Sequence, residues 1–128
     1  MVAHEGPFRL LTVNTAPERA KRLIGRLIDT LKGQYDITHV DNCDKIDDVV
    51  LKVTQHQPDV LLSASMWTAE EANRIHELAR SVIPDMKTHA IPTGLQVERG
   101  EDAIVEYLID QVPPLLQGKQ HTSQENVP

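Results

Sequence analysis

Residues Val60-Leu61-Leu62-Ser63-Ala64-Ser65 form an almost unbroken run of apolar and small side chains behind Pro58-Asp59. A strand with one wet face alternates apolar and polar residues, so an unbroken run implies burial on both faces. That is the condition of a central strand in a parallel sheet covered by helices on each side. Three weaker runs share the chain with it. Phe8-Arg9-Leu10-Leu11-Thr12-Val13 is β-rich, Asp36 to Val40 sets Ile37 and Val40 among polar residues, and Thr88 to Pro92 ends in a proline. The last two read as edge strands, where a missing ladder donor or a wet face is tolerated.

Helical patterns separate these runs. Leu23, Ile24, Leu27, Ile28 and Leu31 recur at helical spacing ahead of Gly33, and Thr15-Ala16-Pro17-Glu18 before them has the form of a capping box with proline in the first turn. Ile46, Val49, Val50 and Val53 share one helical face after the polar loop 41–44. Thr68-Ala69-Glu70-Glu71 is a second capping box, opening a helix that turns Ala72, Ile75, Leu78, Ala79 and Val82 inward before Pro84. After a Thr93-Gly94 turn and a polar loop to Gly100, Ile104, Val105, Leu108, Ile109 and Val112 define a last helix, with Pro113-Pro114 as its stop. Strands alternating with helices predict an α/β domain with right-handed crossovers. The predicted architecture is a flavodoxin-like three-layer α/β/α sandwich, mostly parallel, with four strands in the order 2-1-3-4. It spans residues 8–117, after an N-terminal extension 1–7 and before a polar, aperiodic tail 118–128 expected to be disordered.

Composition narrows the function classes. The chain has 128 residues, the size of one domain, and carries 13 Lys+Arg against 19 Asp+Glu, a net charge of −6. A nucleic-acid binder needs a basic face to displace counterions, so none is expected. No stretch has the roughly 20 apolar residues of a membrane helix, and the first apolar run is too short and too polar for an export signal, so a cytoplasmic location is expected. Cys43 is the single cysteine, which excludes an internal disulfide framework and a Cys-rich zinc module. Its neighbours Asp41 and Asp44 disfavour a thiolate. There is no GxGxxG turn, no GxxxxGK[ST] loop and no GxSxG elbow, and the six histidines show no HxH or HExxH spacing. His76, on a helix, and His89, in a strand, read as structural or solvated. Asp41, Asp44, Asp47 and Asp48 have the oxygens for a hard cation, but the acid preference of a helix N-terminus accounts for them without a metal. No cofactor and no metal are expected.

In open parallel sheets ligands sit beyond the carboxyl ends of the strands, where the strand order reverses. Here that crevice falls between strands one and three, and its candidate lining is Asn14, Thr15, Ser63, Ser65, Trp67, Thr93 and Gly94. Free N–H groups and the dipole of the first helix, with Arg19 and Lys21 behind them, would suit a small phosphate or carboxylate. The same residues also read as a helix cap and packed strand ends. Trp67 is a ligand lid, an interface anchor or a plug over the core. The basic side of the first helix, Arg19, Lys21, Arg22 and Arg26, is a solvated face first and a surface for an acidic partner second.

Two segments resemble the receiver domains of two-component signalling: Leu10-Leu11-Thr12-Val13-Asn14-Thr15-Ala16-Pro17-Glu18, like the first strand and acidic turn, and residues 57–66, like the strand bearing the phosphoacceptor. Asn14 and Thr15 stand where receivers keep two metal-binding acids, and Ser63 or Ala64 where they keep the aspartate. No fifth strand with its lysine is visible. The DxHxxG loop of cobalamin-binding domains is absent as well. The residues read as a degenerate, non-catalytic receiver-like module acting by homodimerisation or by binding a protein partner; an exposed fourth strand must be covered or paired, and homodimerisation through it or its flanking helix is one solution. The alternative is an enzyme or sensor for a small anionic ligand in the strand-end crevice.

Overall fold

A computed structural model describes residues 5–117. Four strands, β1 (Glu5–Val13), β2 (Tyr35–Cys43), β3 (Val60–Ser63) and β4 (Lys87–Ala90), form one sheet in the order β2-β1-β3-β4, every neighbouring pair parallel. Helices α1 (Pro17–Leu31), α2 (Val49–His56, entered through a 3-10 turn at Ile46–Asp48), α3 (Ala69–Val82) and α4 (Leu95–Leu116) cover both faces. The expected four-stranded, doubly wound order is therefore the order observed. Among the described residues no helix is long and apolar enough to cross a membrane. The expected tail 118–128 and residues 1–4 lie outside the described residues.

Two cores flank the sheet. Leu10, Val60 and Leu62 pack against Leu23, Ile24 and Leu27 of α1 and Ile104, Leu108 and Val112 of α4. On the other face Leu11, Val13 and Leu61 meet Val49 and Val53 of α2 and Ile75 and Ala79 of α3. Successive residues of β1 and β3 thus feed opposite cores, as a period of two requires. Removing each such Leu, Ile or Val side chain from water contributes about 1.5–3 kcal/mol. Val60, Leu61, Leu62 and Ser63 are all buried, which is why their run shows no alternation.

Several expectations are corrected. β1 begins at Glu5, three residues before Phe8, and β2 runs from Tyr35 to Cys43, past Val40. The first capping box does not form: Ala16 is the N-cap of α1 and Thr15 is exposed. α1 has no side-chain cap; Asn14 Oδ1 instead accepts the N–H of Ala16 itself at 2.7 Å, an Asx turn leading into the helix. The second box forms in full, with Thr68 Oγ1 accepting from Glu71 N at 3.0 Å and Glu71 Oε1 accepting from Thr68 N at 2.9 Å. On α2, Val49 and Val53 are buried but Val50 is 40% exposed, and on α3 Leu78 and Val82 are only half-buried. The polar stretch before Gly100 is helical, and α4 turns sharply there, where Gly100 has φ 85°. A side chain rarely adopts that conformation, so glycine makes the kink. Pro113-Pro114 does not end α4. The helix reaches Leu116 because Leu115 and Leu116 are buried, which offsets the donors the prolines remove.

β4 is an edge strand. Lys87 N donates to Asp59 O and Ile91 N to Ser63 O, so the alternate amides of Thr88 and Ala90 face the open side. Its flanks are tied to the neighbouring helices: Arg80 of α3 hydrogen-bonds Thr88, and His89 pairs with Tyr107 of α4 at 2.5 Å.

Candidate functional site

The carboxyl ends of β1 and β3 lie side by side, and the turns after them bring most of the predicted residues to one end of the sheet. Asn14 leaves β1 with its N–H on Cys43 O at 2.9 Å and its own carbonyl accepting Asn42 Nδ2 at 2.9 Å. Ala64 N donates to Val13 O at 3.0 Å, continuing the ladder past β3. The same carbonyl accepts the indole N–H of Trp67 at 2.8 Å. Trp67 is 9% exposed, so it plugs the α2/α3 core and is neither a lid nor an exposed anchor. Thr93 Oγ1 donates to Trp67 O at 2.6 Å, and Gly94 N to Ser65 O at 3.0 Å. Ser65 Oγ accepts Gln96 N at 3.3 Å. Gly94, with φ 88°, turns the chain into α4.

Ser63 and Ser65 therefore serve different neighbours. Ser63 is fully buried on the α2/α3 face, its Oγ 3.0 Å from His76 Nε2. Burial, helped by Arg80 and His89, pushes the His76 imidazole down to about 4. A nucleophile needs access, and the Ser63 hydroxyl is fully buried, so the pair ties β3 to α3. Ser65 faces the start of α4. Between the strand ends lies a cavity of about 20 Å³ among Thr12, Asn14, Leu62, Ala64, Ile91 and Leu108, room for about one water.

A second polar assembly, not anticipated from the sequence, lies at the end of β2. The register of β1 on β2 pairs Leu10 with His39 but Leu11 with Asp41, leaving Val40 as a bulge. Alternation would set residues 39 and 42 on opposite faces, and the extra residue brings both to the side of Thr12. Thr12 Oγ1 donates to Asn42 Oδ1 at 2.7 Å and lies 2.8 Å from His39 Nε2. Asp41 Oδ2 holds Lys52 Nζ at 2.7 Å and His56 Nε2 at 2.9 Å. Lys52 and His56 stand one turn apart on α2, a spacing that marks them as partners only once β2 is placed beside that helix. Burial pushes the Asp41 carboxyl up, yet Lys52, the Asn42 amide and His56 outweigh it and hold the group below the usual carboxylate range. Burial pushes His39 down, more than Asp41 raises it.

The acids after β2 do not converge: among the described residues no group of three His, Cys, Asp or Glu side chains is placed to hold a metal ion. Cys43 is buried, with Sγ–H on Lys45 O at 2.9 Å, and burial raises its thiol. On the outer surface Arg22 and Arg26 of α1 bind Glu101, and Arg26 also binds Asp102, so these arginines clamp α1 to α4.

No family model matches the chain, and no curated protein does. Among solved structures it is similar to the signal receiver domain of NarL from Mycobacterium tuberculosis, with a TM-score of 0.46 and 11% identity over 83% of this chain and 96% of that one. The strand order, the parallel ladders and the two helical layers give this chain a flavodoxin-like α/β fold.

Proposed function

We propose that this chain is a non-catalytic, receiver-like α/β module whose function is association, with a second copy of itself or with a protein partner. The observation that supports this reading is the closed strand-end crevice. Its Asn14, Ser63, Ser65, Trp67, Thr93 and Gly94 are engaged with one another or with the adjoining helices, and the cavity left is about 20 Å³. Small-molecule sites run to about 300–1,000 Å³. An anionic ligand there would have to displace Trp67 or the α4 turn.

Native mass spectrometry and sedimentation of the purified protein test the reading. A dimer without added mass is the expected result. A strictly monomeric mass at high micromolar concentration overturns self-association. An adduct of small-molecule mass, lost when Trp67 or Ser65 is replaced, would restore the anion-binding alternative.

A further inference from the structure

We propose that two copies of this chain associate through α1, the helices crossing antiparallel with Gly25 at the twofold axis. This rests on the reading of the chain as a self-associating module and names its surface. Taking 100° per residue, Glu18, Lys21, Arg22, Ile28, Asp29 and Lys32 lie within about 60° of the direction of Gly25 on the helix. They form one outward stripe opposite the buried Leu23, Leu27 and Leu31.

Three features of that stripe fit a second copy. Gly25 sits mid-helix, where glycine costs about 1 kcal/mol relative to alanine. Nothing within 4 Å of the position a Cβ would occupy requires its absence. Packing within the chain therefore does not account for it, whereas close approach of another backbone would. A groove of about 470 Å³ runs beside it, between α1 and β2, bounded by Lys21, Gly25, Ile28 and His39.

The charges are also self-complementary. A dyad at position 25 sets residue 21 against 29 and residue 18 against 32. Lys21 then meets the second copy's aspartate at position 29, and Glu18 its lysine at position 32, each contact occurring twice. Among the described residues Lys21 and Glu18 make no ion pair. Asp29 and Lys32 pair only with each other, at 3.1 Å with side chains 76% and 72% exposed. Arg22 and Arg26 are held by α4, and on the stripe the dyad matches Lys21 and Glu18 with Asp29 and Lys32. Two crossing helices cover less than the roughly 800 Å² per partner of a standard interface, which places the dimer in the weak, micromolar class.

Lys21→Glu and Asp29→Lys test the register. Each variant alone turns two attractive contacts into two repulsive ones and is expected to weaken the dimer about tenfold or more in sedimentation velocity. Mixed together they regain both pairs, so a heterodimer of wild-type affinity is expected. Gly25→Leu serves as the control for folding: it is expected to unfold at or above the wild-type temperature and to be monomeric. A wild-type dimer that survives all three changes overturns the α1 interface and leaves self-association standing through another face. Single variants that dissociate without recovery on mixing overturn the antiparallel register. A wild-type protein that never dimerises overturns both.

Discussion

The strand-end crevice and the outer face of α1 both collect polar groups, and they use them in opposite ways. At the ends of β1 and β3 the hydroxyls, amides and indole of Asn14, Ser63, Ser65, Trp67 and Thr93 close on partners within the chain. Along α1, Glu18 and Lys21 face outward around a glycine that no neighbour requires. Asn14, Ser63, Ser65 and Trp67 there are buried, where an unsatisfied polar atom costs about 1–3 kcal/mol, so each had to find a partner. Among the described residues no buried side-chain nitrogen or oxygen lacks one. The second region is in water, which satisfies charges without fixing them and leaves them free for another molecule. A site-like list of residues thus means little until burial is known.

The contrast can be broken most severely at Trp67. Trp67→Ala removes a buried indole and its bond to Val13 O, and a loss of about 3–5 kcal/mol in denaturant unfolding is expected. If Trp67 were a surface lid, the loss would be small.

The Ser63–His76 tie sharpens the contrast through pH. The imidazole titrates near 4 in the folded chain, below its ordinary 6.5, so the unfolded chain binds the proton first as the pH drops. Stability is therefore expected to fall from about pH 6.5 to about pH 4 and then to lose no more from this group. His76→Gln should flatten that part of the profile in thermal unfolding at stepped pH.

Asn14→Ala is expected to cost about 0.5–1.5 kcal/mol by removing the acceptor of the Ala16 N–H in the turn into α1. Thr15→Ala, at the position where a capping box was expected, should stay within about 0.5 kcal/mol. Equal losses for the two would mean that Thr15 also holds that turn. On the α1 face, Gly25→Ala should raise monomer stability by about 0.5–1 kcal/mol, the reverse in sign of Trp67→Ala and Asn14→Ala.

Much of the fold was legible in the sequence because its signals are local. Val60 to Ser63 announced burial on both faces, Thr68 and Glu71 announced a helix start, and the leucines and isoleucines of α1 announced a helix packed on one side. The order β2-β1-β3-β4 followed from asking which runs were apolar enough for the centre. The departures arose where distant residues competed with local preference. Thr15 caps nothing and is exposed, while Asn14, pinned between β1 and β2 by Cys43 O and Asn42, holds the turn into α1 through the Ala16 N–H. Pro113-Pro114 lost to the burial of Leu115 and Leu116. The candidate residues were named from one end of the sheet, but the partners of Ser63, Trp67, Ser65 and Asn14, namely His76, Val13 O, Gln96 and Asn42, lie between 13 and 54 positions away along the chain.

What the sequence by itself determined is the class of fold, since hydrophobic period and turn residues are written locally. Only the tertiary structure decided that the crevice is filled, that the bulge at Val40 brings His39 and Asn42 together on Thr12, and that Arg22 and Arg26 are occupied by α4 while Lys21 is not. Those outcomes depend on which groups are buried together, and burial is set by the packing of elements far apart in the chain.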